Sequence, residues 1–135
     1  MNSLKGKNIV ARIFLAIAAS LGGISVILGA FASHGLKDQL SDRALEIWET
    51  GTRYQMYHAL ALILVALLLS RFDDGSTPLT IAGFAFIAGT IFFSGSLYAL
   101  SLSGIKILGA IAPIGGAAFI TGWACLAIAA LNWKY

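Results

Sequence analysis

Charged residues fall in a few short clusters along this chain, and long stretches between them carry none. Ile13 to Ser33 is twenty-one uncharged residues, Tyr54 to Ser70 is seventeen, and neither Gly75–Ile105 nor Ile107–Trp133 holds a single charge. A spanning α-helix needs about 20 predominantly apolar residues, so each stretch predicts one crossing. The third is longer than a crossing requires. Thr77-Pro78 suits a helix start near Leu79, because proline is tolerated in a first turn, and Leu102-Ser103-Gly104 is its natural end. Alternation of period two is absent, which disfavours a β-barrel. The expected fold is all-α, a single membrane domain over residues 1–135 with four transmembrane helices at about 10–33, 54–70, 79–102 and 107–133.

The longest polar connection, His34 to Arg53, has a pattern of its own. Ser41 can cap a short helix there, with Ala44, Leu45, Ile47 and Trp48 on one face and Asp42, Glu46, Glu49 and Arg53 on the other. That pattern predicts an amphipathic helix at about 41–50 lying in the membrane interface, with Trp48 at headgroup level. Gly51 would provide a bend before the second span, and the i,i+4 order of Glu49 and Arg53 favours an ion pair.

Small residues form stripes on three of the four helices. Ala18, Gly22, Ser25, Gly29 and Ala32 mark the first, and Gly115, Ala118, Gly122, Cys125 and Ala129 the fourth. Their alternating steps of three and four keep one small face along each helix. The third span follows less strictly, through Ala82, Ala85, Gly89, Ser96 and Ala99, with Phe92 interrupting. Lipid tails give helices no hydrophobic reason to associate, so spans pack where small residues let backbones approach. The stripes predict tight packing within one chain; a seam between copies in a homo-oligomer is the alternative.

Composition agrees with a lipid environment. Apolar residues make up 59% of the 135 and charged residues 11%, against roughly 45–50% and about 25% in soluble domains. The net charge of +3 does not point to nucleic acid, because the basic residues sit singly at the ends of apolar runs. A lone cysteine, Cys125, cannot form an internal disulfide. Lys5, Lys7 and Arg12 followed by Ala30-Phe31-Ala32 resemble a signal peptide, but the apolar run exceeds the usual core of one. With an even number of spans both termini share a side. Lys5, Lys7, Arg12, Arg71 and Lys134 fall on it, against Lys37, Arg43, Arg53 and Lys106 opposite, which votes for a cytoplasmic N-terminus.

Topology then confines the candidate chemistry to one leaflet. The connection after the first span and the loop near Lys106 face the same side. His34, Glu49, Arg53, Tyr54, Gln55, Tyr57 and His58 therefore share a half-membrane with Ser94, Ser96 and Tyr98. Polar groups in a span are costly unless paired, so this set is a candidate polar cluster; a purely structural hydrogen-bonded cluster is the competing reading. His34 and His58 are the only histidines, which raises a two-histidine haem site as a further alternative. No carboxylate is embedded in a span to complete a zinc site or serve a proton relay. Nucleophile elbows, phosphate loops and paired acids are absent as well. No enzyme activity, metal or cofactor is expected.

Several phrases carry a family resemblance: Gly29-Ala-Phe-Ala-Ser-His34-Gly-Leu36, Trp48-Glu-Thr-Gly-Thr-Arg53-Tyr-Gln-Met-Tyr-His58-Ala-Leu60, Phe93-Ser-Gly-Ser-Leu-Tyr98 and Pro113-Ile-Gly-Gly116, with Phe119 and Gly122-Trp123 behind. From about Ala11 onward the chain resembles the family called domain of unknown function 423, which takes in the bacterial YgdD and YwdK proteins and the animal transmembrane protein 256. The resemblance implies a four-span fold and a membrane location, and no particular activity; the expected location is a bacterial inner membrane. The expected function is a non-enzymatic multi-pass membrane protein whose polar half-pocket binds a lipid, a small molecule or a partner protein. The alternative is a small oligomeric channel or transporter. Membrane lipids and a second copy or another membrane protein are the expected partners.

Overall fold

A computed structural model of the chain describes residues 2–72 and 76–133. Helix α1 runs Asn2–Phe31 and ends in a π-helical turn, Ala32–Leu36. Helix α2 is Asp42–Arg71. The third span is built from α3 (Ser76–Gly89), a π-helical turn (Thr90–Ser94) and α4 (Gly95–Ser103), and α5 is Ala112–Leu131 after a 3-10 turn at Lys106–Ala110. Four helical stretches are long and apolar enough to cross a membrane: Lys5–Leu36, Asp42–Arg71, Ser76–Ser103 and Lys106–Leu131. Pro78 sits in the first turn of α3, where its missing N–H costs nothing. At the far end Gly104 adopts a left-handed conformation, φ +69°, that closes α4.

The separate interfacial helix does not exist. Ser41 does act as an N-cap, its side chain accepting from the Ala44 N–H at 3.2 Å, but the helix it starts is the 30-residue α2 itself. Ala44, Leu45, Ile47 and Trp48 are covered by neighbouring helices instead of lipid headgroups, while Asp42, Glu46, Glu49 and Arg53 stay exposed. Trp48 is buried between Phe31, which meets it edge-on, and the tilted Tyr98 ring, and its Nε1–H donates to the Leu28 carbonyl of α1 at 2.9 Å. Gly51 is a contact point and no bend: a Cβ there would stand 2.9 Å from the Tyr98 ring. The Glu49–Arg53 ion pair is also not made; Arg43 and Glu46 pair instead, at 3.2 Å on the surface.

Two antiparallel helical hairpins make up the bundle. α1 packs chiefly on α2, α3 chiefly on α5, and α2 joins the halves by packing on the third span. Half of the most apolar window of α2 is buried and 44% of that of the third span, against 17% and 22% for the first and fourth spans. α2 and the third span are thus the centre, flanked by α1 and α5. The small-residue stripes lie inside these pairings. On α1, Ala18 is fully buried and Ser25 reaches the α2 backbone. On α5, a Cβ at Gly115 would collide with the backbone of Phe93 and one at Gly122 with the Phe86 ring. Reciprocally, Gly89 of α3 receives the Phe119 ring.

The irregular stripe on the third span has a physical cause. Ala82, Gly89 and Ser96 are buried, Ala85 is half-buried and Ala99 is exposed. Wider π-helical turns at Thr90–Ser94 shift the phase of the inward face, so that Thr90 and Ser94 are buried and the exposed Phe92 falls outside it.

Candidate functional site

In the half of the bundle that holds the start of α2, the polar residues divide into two groups. The first is a seam of hydrogen bonds between helices. Ser25 Oγ donates to the Thr52 carbonyl (2.7 Å), Ser94 Oγ to that of Gly51 (2.7 Å) and Ser101 Oγ to that of Ala44 (2.6 Å). Gln55 is its centre. Its Nε2 donates to the Leu21 carbonyl of α1 at 2.8 Å, and its Oε1 accepts from the Tyr98 hydroxyl of α4 at 2.7 Å. One buried side chain thus ties three spans together. Every polar atom in this seam is satisfied by protein, as burial away from water demands.

The second group faces outward. Tyr54, Tyr57 and His58 of α2, Phe93 of the third span and Gly116, Phe119 and Trp123 of α5 line a lateral groove of about 710 Å³. His58 organises its wall. The imidazole lies flat on Phe119, ring centroids 3.5 Å apart and planes 9° from parallel, and stacks more loosely on Tyr54 at 6.2 Å. Its Nδ1 lies 2.7 Å from the Tyr54 carbonyl, which can only accept, and the Trp123 Nε1–H donates to its Nε2 at 3.1 Å. An indole nitrogen is a donor only. His58 is therefore a neutral ring with its proton on Nδ1 and both nitrogens engaged, which leaves neither free to ligate a metal.

A smaller recess of about 390 Å³ adjoins the groove. Arg43, Glu46, Glu49, Thr50 and Arg53 line it, and Phe93 walls both spaces. Of the ten residues singled out from the sequence, Glu49, Arg53, Tyr54, Tyr57 and His58 line the groove or its recess, whereas Gln55, Ser94 and Tyr98 belong to the seam. Ser96 is buried and bonds within its own helix, to the Phe93 carbonyl at 2.9 Å. His34 lies exposed in the turn after α1 and takes part in neither group. Among the described residues no cluster of three or more metal-ligating side chains occurs.

Sequence reasoning passed over Phe119, Trp123 and Gly116 as site residues, although they stand in the phrases that carry the family resemblance. Ser25 was visible as part of the α1 stripe, and its bond to the Thr52 carbonyl was not.

The description "Protein of unknown function (DUF423)" matches residues 28–116, from the α1 carbonyl that accepts Trp48 to the glycine of the groove. The chain belongs to the DUF423 family. Among its relatives, UPF0382 membrane protein YwdK of Bacillus subtilis is 44% identical over 122 residues, covering 90% of this chain and 98% of its own. A UPF0382 membrane protein of Staphylococcus epidermidis is 46% identical over 123 residues, with 90% and 97% covered. UPF0382 membrane protein SAB0533 of Staphylococcus aureus is 46% identical over 120 residues, with 87% and 94% covered. No solved structure matches the chain. These relatives, all bacterial, are named as UPF0382 membrane proteins, with no enzymatic description.

Proposed function

We propose that this protein is a non-enzymatic component of the bacterial inner membrane whose lateral groove holds an amphipathic, lipid-like ligand in one leaflet. The observation that carries this reading is the groove between α2 and α5, about 710 Å³ in volume and walled mainly by aromatic and aliphatic side chains. Ligand sites are concave, largely apolar and equipped with few polar groups. The groove has that make-up, and its histidine is already satisfied by protein, so an occupant need not neutralise it.

A conduit is a poorer reading for a single chain. Deeper along α2 the buried residues are Leu62, Val65, Ala66 and Leu69, an apolar core with no polar path to the opposite face.

Gly116 gives a clean test. It lines the groove, and a Cβ there meets nothing within 4 Å, so a larger side chain enters empty space. Gly116→Leu should leave the melting temperature in mild detergent close to wild type and abolish ligand co-purified under gentle extraction, as read by native mass spectrometry. Equal ligand occupancy in the two proteins would sink the reading.

A further inference from the structure

The charged recess at the start of α2 lies level with exposed apolar side chains of the neighbouring spans. Ser94 bonds to Gly51 and Ser101 to Ala44, so residues 44–51 of α2 run alongside 94–101 of the third span. Trp48 bonds to Leu28, which sets α1 at the same level. Around that level the neighbouring spans expose Ile27, Phe31, Leu102 and Ile114 outward, the side chains of a lipid-facing surface. Into this apolar surround α2 presents Glu49 and Arg53. Both are exposed, both line the recess, and among the described residues neither side chain has a hydrogen bond or ion pair. Unpaired charges at such depth are costly. A ligand that supplies a counter-charge to each would relieve that cost.

The order of groups along α2 says which ligand. From the membrane centre outward come the aromatic groove, then the Arg53 cation, then the Glu49 anion about 6 Å further on. A phospholipid with an amino headgroup has its parts in the same order: acyl chain, phosphate, ammonium. We infer that the groove and its recess together form a site for a zwitterionic aminophospholipid, phosphatidylethanolamine in chemical class. An acyl chain lies along Tyr57, Phe119 and Trp123, the phosphate on the Arg53 guanidinium and the ammonium on the Glu49 carboxylate. The Arg43–Glu46 pair closes the outer rim and leaves the two inner charges for the headgroup. This inference rests on the groove reading above and adds the headgroup to it.

The test separates the two. Protein in nanodiscs of equal parts phosphatidylethanolamine and phosphatidylglycerol is released into mild detergent, and retained lipid is read by native mass spectrometry. Wild type should keep phosphatidylethanolamine in preference. A charge-assisted contact supports about a tenfold effect, so Glu49→Gln should erase a preference of about that size and Arg53→Gln should lower retention of both lipids. Because neither side chain has a protein partner, both variants should melt like wild type.

Equal retention of the two lipids by wild type, or a preference that Glu49→Gln leaves intact, overturns the headgroup assignment. If that headgroup-blind retention is lost in Gly116→Leu, the groove reading stands without it. A lipid-free dimer that Glu49→Gln dissociates would mean that the charges pair between two copies, and it overturns the inference. No retained lipid of either kind, with Gly116→Leu like wild type, sinks inference and groove reading together.

Discussion

Gln55 shows how a polar residue within a span can serve the fold alone. Its two bonds join α1 to α4 through α2, and losing it leaves the Tyr98 hydroxyl without its partner and removes the extra bond to the Leu21 carbonyl, which its own helix still engages. Interhelical hydrogen bonds in membranes average about 0.6 kcal/mol and reach about 1.7. Gln55→Leu should therefore destabilise the bundle by about 1–2 kcal/mol, measured by detergent-driven unfolding followed through tryptophan fluorescence, and Tyr98→Phe by about half as much. At this scale the sequence was informative about neighbours on one helix. Tyr54 and His58, four residues apart, share the groove wall, while Arg53 lines the recess and Tyr57 the groove. It was uninformative about partners across the bundle. Nothing in local spacing reveals that Trp123 donates to His58, sixty-five residues earlier, or that Gln55 turns toward Tyr98 and away from the groove.

α2 differs most from its sequence reading among the elements, and the difference comes down to what covers an apolar face. Periodicity finds the face but cannot tell lipid from helix. The decisive contact is Gly51 against Tyr98, which lets α2 continue straight past the position where a bend was expected. Gly51→Ala is a direct check. At a solvated bend alanine would be neutral or helpful to the helix; against the Tyr98 ring it should cost about 1–3 kcal/mol, the usual cost of overpacking. The clash also predicts non-additivity: Gly51→Ala combined with Tyr98→Ala should unfold no more readily than Tyr98→Ala alone. The π turn at Thr90–Ser94 lay beyond the sequence for a different reason. Its only trace is the lost rhythm of the third stripe around Phe92, which a gap in packing would produce equally well.

On the scale of the whole molecule, the four crossings were legible because charge is scarce and its positions delimit apolar runs long enough to span. Orientation rests on a narrower margin, five basic residues against four. That count predicts cytoplasmic termini, an orientation that would put the groove in the outer leaflet. A reporter that is active only in the cytoplasm should give signal when fused to either end, and one that needs the periplasm should stay silent at both. The reverse pattern would move the groove to the inner leaflet. The pairing of α1 with α2 and of α3 with α5 also bears on how the protein is made. Gly22, Gly89, Gly115 and Gly122 meet their partners within their own half of the chain, whereas Gly51 waits for Tyr98, and Phe14 for Gly83, of the second half. The first pair is complete when synthesis reaches Arg71, so it can leave the insertion machinery as a finished hairpin and wait in the bilayer. The Gln55 Oε1, the Ala44 and Gly51 carbonyls, Gly51 itself and Phe14 then remain to be met, and they act as the docking edge on which the second hairpin finds its register.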